Sequence, residues 1–369
     1  MGIIIVRPSG ELAIKSSYVR RIFIRKLVKN ISTQITVSKW RVDQGYIILE
    51  TEGDVSRLSY VFGISYFYVA EEINFSTIQE LAHAAVEKFA ELVRGKKFAV
   101  RVRRTGEHEF TSMDIAREVG KLLLPFSAGV DLENPEAIVH IDVIQNRAYL
   151  YSEEHQGPNG FPVGTTGKTV VLFSGGLDSP VATWMMMKRG AKPILLNVKL
   201  GGELQKNLVI DEIKVLSKWS GGEKLKVYFV DGLKISTYLS NVNKFLRVIT
   251  LKRIMYKLAD FLGRKTGAYS ITTGESLSQV SSQTMKNLFV SEYGINRPVF
   301  RPLIGMDKEE IVSISRKIGT YELSSKMPEY CIISSKSTVR ARLSEVLDNE
   351  KDINIDYKDL LDHAEVLEV

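Results

Sequence analysis

The sequence predicts a multidomain protein of combined α/β and α+β class. A ferredoxin-like domain spans residues 1–75, a second domain with its linker spans 76–166, and a doubly wound parallel sheet spans 167–369. Three observations carry that expectation. The first 70 residues read strand, helix, strand, strand, helix, strand. A Gly- and Pro-rich stretch at 157–167 separates two halves. Beyond it, apolar strand-like runs alternate with helical stretches. A chain of 369 residues is also too long for one small core.

The elements follow in order. Residues 3–7 are a strand. Ser16 to Asn30 is a helix with Val19, Phe23 and Leu27 on one stripe. Ile35 to Val42 and Tyr46 to Glu50 are strands around a hairpin-like turn at Asp43-Gln-Gly45. A short helix near Asp54–Phe62 and a strand near Tyr66–Ala70 complete the first domain. In the second, Ser76 reads as a helix N-cap with Gln79 three residues on. Ile78, Leu81, Ala82, Ala85, Phe89 and Leu92 form the apolar stripe that follows. Phe98 to Arg104 alternates apolar and basic residues, the pattern of a half-buried strand with a basic outer face. Thr111 to Leu124 is a helix, and Ala137–Ile144 and Arg147–Tyr151 are strands turning at Gln145-Asn146. In the last domain, strands fall at 169–173, 193–198, 226–230 and 268–273.

Composition narrows the function. No apolar run approaches the ~18 residues that cross a bilayer, and Met1 to Val6 lacks the basic flank of a secretion signal. No membrane partner is expected. A single cysteine excludes an internal disulfide and points to the reducing cytoplasm. The five histidines are scattered without metal-ligand spacing. The net charge is +7, unevenly spread. Residues 1–30 hold seven Lys/Arg against Glu11 alone, and residues 94–104 hold six and no acid. Basic clusters of this kind suit a phosphate backbone; solvated faces are the plainer alternative.

The densest chemical signal is Lys168-Thr-Val-Val-Leu172-Phe173-Ser174-Gly175-Gly176-Leu-Asp178-Ser179. An apolar strand ends in two glycines and then enters a helix. Bare glycines let main chain approach an anion, and a helix start aims N–H groups at it. Asp-Ser in place of Gly-Lys-Ser argues against a Walker loop. The run resembles the pyrophosphatase-type loop (PP-loop), Ser-Gly-Gly-x-Asp-Ser, of enzymes that split ATP into AMP and pyrophosphate. Ser174 and Ser179 would donate to phosphate oxygens, and Asp178 is the candidate partner of Mg²⁺. Thr273–Gln283 lies beyond another strand, so Gln279, Ser282 and Gln283 face either nucleotide or substrate. Lys308 begins a helix, where the dipole disfavours a cation unless a phosphate is near. Cys331, in Met327-Pro-Glu-Tyr-Cys331, is either a small buried hydrophobe or a reactive thiol.

Together these segments resemble one family, the tRNA 4-thiouridine synthetase often called the thiamine biosynthesis protein ThiI. The similar runs include Glu11-Leu-Ala-Ile-Lys15-Ser to Arg20, Val100 to His108, Gly160-Phe-Pro-Val-Gly-Thr165, the Ser174 loop, Leu251-Lys252-Arg253, Thr273–Gln283, Arg301–Lys308 and Met327–Lys336. They cover most of the chain in the family's order. The resemblance implies a ferredoxin-like domain and a THUMP domain that grip the acceptor-stem region of tRNA through Lys15, Arg20, Arg101, Arg103, Arg104 and His108. It implies a PP-loop ATP pyrophosphatase domain that adenylates uridine 8 at O4, with sulfur then replacing AMP. It places ATP against Leu172, Phe173, Ser174, Gly175, Gly176, Asp178, Ser179, Lys252, Arg253, Gly274 and Gln283. Asp178 and Lys308 would serve adenylation and Cys331 sulfur delivery. The resemblance also implies a homodimer and a sulfur donor, such as a cysteine desulfurase or persulfide carrier. Many members carry the persulfide on a rhodanese domain, which also links the family to thiamine thiazole synthesis. No such domain is read here, so Cys331 either carries the persulfide or resolves a mixed disulfide. Two rival readings are another PP-loop tRNA-thiolating enzyme and an RNA-binding protein with a vestigial ATP site.

Overall fold

The computed structural model describes residues 2–327, 337–351 and 353–369. The chain divides into two compact units, Met1–Gly160 and Phe161–Val369.

The first unit is built on strands β1 (Gly2–Pro8), β2 (Thr36–Asp43), β3 (Tyr46–Glu52), β4 (Ile64–Asn74), β5 (Lys97–Thr105), β6 (Gly129–Val130), β7 (Ala137–Ile144), β8 (Arg147–Tyr151) and β9 (His155–Gln156). They form one sheet in the order β2-β3-β1-β4-β8-β7-β5-β6, with β9 pairing β4. The first four strands take the ferredoxin-like order. The β2–β3 turn is the expected hairpin: Asp43 pairs with Tyr46, and Gln44 and Gly45 both take positive φ. The second helix of this part is a short 3₁₀ turn, Val55–Tyr60.

Strand β4 is longer than its apolar run. Ile64–Ala70 lies against β1, and Glu71–Asn74 continues into pairing with β8. One strand therefore pairs with β1 in its first part and with β8 in its last, ending at Asn74 just before the expected boundary at 75/76. The polar pair Glu71-Glu72 hid that extension, because hydropathy alone reads it as a loop. The Ser76 cap is also one residue early. Thr77 is the N-cap of helix Ile78–Val93 and accepts from Glu80 N, while Ser76 N donates to the Glu80 carboxylate. That helix and Ser112–Leu123 bury Leu81, Phe89, Ile115 and Val119 against Phe98, Val139 and Ile141. Each such side chain contributes about 1.5–3 kcal/mol.

The second unit holds β10 (Lys168–Leu172), β11 (Lys192–Lys199), β12 (Lys226–Asp231), β13 (Ser270–Thr272), β14 (Val299–Phe300) and β15 (Glu365–Glu368). Their order is β14-β13-β10-β11-β12-β15. All neighbours run parallel except β15, which pairs antiparallel to β12. The chain moves outward from β10 through β11 to β12, then returns to the other side of β10 for β13. Successive strands diverge there, so a crevice opens beyond the C-terminal ends of β10 and β13. Phe161 and Val163, in the expected linker, are buried, and Phe161 bridges to Arg189. Alternate residues of the strands feed the two faces. Val170, Leu196 and Val230 pack with Ile249, Tyr256 and Leu258 of helix Arg247–Thr266 on one face. Among the described residues no helix is long and apolar enough to cross a membrane.

Candidate active site

Strand β10 delivers the glycine loop to the crevice. Phe173 is buried and held at both ends of its peptide: its N–H donates to Leu196 O at 2.9 Å, and its carbonyl accepts from Asn197 Nδ2 at 2.7 Å. Leu172 is half-buried at the strand end. The chain then turns through Gly175 at φ +82°. Gly175 N donates to Ser179 Oγ at 3.2 Å, Gly176 N donates to Ser174 Oγ at 3.3 Å, and the two hydroxyls lie 3.4 Å apart. The serines thus satisfy the donors that an anion would take. Helix Asp178–Lys188 follows with no side-chain cap on its N-terminus, which leaves its first N–H groups and dipole open to an anion.

Strand β13 brings the second loop. A Cβ on Gly274 would lie 2.9 Å from both Asp178 Cβ and Ser179 N, so only glycine lets the two loops meet. Gln279 Nε2 then donates to Asp178 Oδ2 at 3.3 Å. Asp178 Oδ1 is buried without a hydrogen-bond partner among the described residues. Burial pushes this carboxyl above the ordinary aspartate range, against the opposing pull of Gln279 and of the Lys308 charge. A carboxylate oxygen with no partner beside these loops is of the chemical type that a hard divalent cation takes. Gln283 faces elsewhere. Its Oε1 accepts from Ser276 N at 3.1 Å, and its side chain is buried, so it braces the loop.

The third loop pairs with the second. Leu277 N donates to Ile304 O, and Ser276 Oγ donates to Met306 O. Between them lies a cavity of about 610 Å³ lined by Ser276, Gln279, Met306, Asp307 and Lys308. Lys308 begins helix Lys308–Ile318, whose capping box joins Asp307 and Glu310. The capping carboxylates answer the helix dipole and leave the Lys308 ammonium exposed.

The Lys252-Arg253 pair splits. Lys252 Nζ donates to Glu275 at 2.7 Å, and Tyr256 OH, Thr273 Oγ1 and Arg301 Nε donate to the same buried carboxylate. Desolvation raises this carboxyl, but Lys252, Tyr256 and Arg301 outweigh it and pull Glu275 down to about 2. Lys252 therefore supports the Thr273–Gln279 loop from below. Arg253 is 3% exposed; it donates to Glu350 at 2.6 Å and to the Val290 and Tyr293 carbonyls. Its guanidinium is committed to the fold. Glu275 was missed at the sequence level, where an acid between a glycine and a serine gives no sign of its four donors. Cys331 lies outside the described residues, as does the rest of 328–336.

In the first unit the basic residues sort into two groups. Arg20 lines a groove of about 710 Å³ with Arg7, Arg21, Arg25 and Trp40. Trp40 is 45% exposed, a stacking surface beside four guanidinium groups. It was not singled out from the sequence, although an exposed tryptophan on a strand opposite a basic helix is a recognisable signal. Lys15 is half-buried just before helix Ser17–Ser32, which carries Arg20, Arg21 and Arg25. Arg101 is exposed and donates to Leu132 O. Arg103 pairs with Glu154 at 2.6 Å and lies over the Tyr66 ring. Arg104 Nη1 lies 3.0 Å from His108 Nδ1, and His108 Nε2 lies 2.6 Å from Gln145 O.

Comparison with known proteins agrees with this geometry. The chain matches the thiamine biosynthesis protein (ThiI) family over residues 164–355, the THUMP domain over 72–153 and the ThiI ferredoxin-like domain over 3–68. It is 59% identical over 367 residues to a probable tRNA sulfurtransferase of Sulfurisphaera tokodaii, and 54% identical over 371 residues to one of Saccharolobus solfataricus; each match covers all of both chains. Among solved structures it is similar to a 4-thiouridine synthetase–RNA complex with bound ATP, with a TM-score of 0.87, 28% identity and full coverage of both chains. A structure from Pyrococcus horikoshii matches with a TM-score of 0.67 and 26% identity, over 86% of this chain and 100% of that one. With three consecutive family matches and whole-length relatives, the chain belongs to the ThiI family.

Proposed function

We propose that this protein is an ATP-dependent tRNA sulfurtransferase that adenylates O4 of uridine 8, releases pyrophosphate, and exchanges AMP for sulfur to give 4-thiouridine. The observation that carries this reading is the meeting of three loops at one crevice: Ser174–Ser179, Gly274–Gln279 and the Lys308 helix start.

The residues divide the work. The Gly175 and Gly176 amides exchange their serine partners for pyrophosphate oxygens as ATP enters, and the uncapped helix dipole adds its charge. Lys308 offsets negative charge that develops as the α-phosphorus passes to O4. Asp178, with its free Oδ1 and with Gln279 fixing Oδ2, would hold Mg²⁺, which when bound neutralises phosphate charge. Adenylation makes the poor leaving oxygen at C4 into AMP, which a sulfur nucleophile displaces. The Arg7, Arg20, Arg21, Arg25 and Trp40 groove supports an RNA-binding role for the first unit. We assign the tRNA-binding segments to residues 1–75 and 76–166 and catalysis to 167–369. The reading further includes the acceptor-stem region as the element gripped, a homodimer, a cytoplasmic location, a cysteine desulfurase or persulfide carrier as donor, and Cys331 in sulfur delivery.

The test is incubation of unmodified tRNA with ATP, Mg²⁺ and alternative sulfur donors, followed by nucleoside mass spectrometry and AMP assay. The reading expects 4-thiouridine at position 8 with AMP release that depends on tRNA. AMP release indifferent to RNA, or thiolation at another carbon, overturns it.

A further inference from the structure

Glu212 sits on helix Gly202–Ser217 and is wholly buried, yet no step above uses it. Its Oε1 accepts from Ser324 Oγ at 2.6 Å. Its Oε2 is buried with no partner among the described residues. That oxygen lies behind the glycine loop: a Cβ on Gly175 would stand 3.4 Å from it, 2.6 Å from Val209 Cγ2 and 2.5 Å from Met327 Cε. Desolvation pushes the carboxyl up to about 9, with only the Ser324 hydrogen bond opposing. Among the described residues its hydrogen-bond partner is Ser324, and Val209 and Met327 crowd the same space behind Gly175; none of these is charged. Burial and the unpartnered Oε2 together favour the carboxylic acid form at neutral pH.

We propose that Glu212 is a positioning residue for the nucleotide: held by Ser324, as a neutral acid it fills the space behind Gly175, and in its anionic form it repels the phosphates the turn receives. The inference rests on the reading that the Ser174–Ser179 loop holds ATP. A carboxylate in low dielectric behind a polyanion site has no counter-ion to offset it. The neutral acid keeps volume and polarity without that repulsion.

The experiment is calorimetric ATP binding from pH 7 to 10 with the full chain, Glu212→Gln and Ser324→Ala. For the wild type, binding only to the protonated form weakens affinity about tenfold between pH 8 and pH 10. Glu212→Gln, permanently neutral and isosteric, changes less than about twofold beyond pH 7 behaviour and binds at pH 7 within about threefold of wild type. Lysine titrations near the site remain in both proteins, so the difference between the curves belongs to Glu212. Ser324→Ala removes the hydrogen bond that favours the anion and moves the wild-type fall to higher pH. A Gln variant that tracks the wild-type curve, or that melts normally but loses ATP at pH 7, overturns the role. Should the Gln variant not fold, an undisplaced Ser324→Ala curve overturns it instead. A wild-type chain with no ATP affinity at any pH refutes the nucleotide reading itself, and this inference with it.

Discussion

Replacing Asp178 by asparagine should make the protein more stable and nearly inactive. Asp178 keeps one buried oxygen without a partner and is raised by desolvation more than Gln279 and Lys308 can offset. Asparagine still places a polar group there but cannot ionise, and a buried unsatisfied polar atom costs about 1–3 kcal/mol, more when it is charged. The side chain is only partly buried, so solvent screening puts the expectation at the low end, about 1 kcal/mol. For a domain of this size that corresponds to a rise in Tm of roughly 2–4 °C. The folded-state pKa of Asp178 lies above its unfolded value. Its protonated form therefore favours folding, and that contribution is present at low pH and lost as pH rises through the folded pKa. The advantage of the asparagine should be present above the folded pKa and shrink as pH falls into the ordinary aspartate range, where the wild-type carboxyl protonates. Adenylation should fall about 10²–10³-fold, the scale of losing one preorganised electrostatic group. Thermal melts at pH 7.5 and pH 4, with AMP release from labelled ATP, check both halves. An asparagine variant that turns over normally, or melts below wild type at neutral pH, refutes the reasoning.

Four further substitutions test the remaining assignments. Lys308→Ala should leave Tm nearly unchanged, because the ammonium is exposed, while kcat for AMP release drops about 10²-fold or more; equal loss in folding and turnover would contradict its assignment. Arg253→Ala should lower stability by about 3–5 kcal/mol by stranding Glu350, despite the remaining Lys257 contact. Its folded fraction, measured by denaturant titration, should retain ordinary ATP affinity, and a specific loss of ATP binding would return Arg253 to the nucleotide site. Trp40→Ala should weaken RNA binding by about 1–3 kcal/mol through lost stacking, and Arg21→Ala should flatten its salt dependence by about 0.9 per lost phosphate contact. Both are readable by fluorescence anisotropy, and neither should change RNA-free ATP affinity.

The amino-acid sequence alone determined whatever depends on near neighbours. The Gln44-Gly45 hairpin, the capping box at Asp307 and the glycine turn at Gly175 are all set by residues within a few positions of each other. Backbone sterics and local hydrogen bonds suffice for these. The candidate loop Ser174–Ser179 belongs to this class, which is why it was legible. Tertiary structure alone decided how each charge is used. Lys252 and Arg253 are adjacent and alike in sequence, yet one supports the Glu275 loop and the other is locked to Glu350, 97 positions away. Asp178 meets Gln279 across 101 positions, and Glu212 meets Ser324 across 112. Strand β15, Glu-Val-Leu-Glu, has no strand signature of its own and forms because β12 offers an open edge and Lys226 a partner for Glu368. An ionisable side chain takes its role from the solvent it loses and the charges it meets, and both are set by which distant segments the fold brings together.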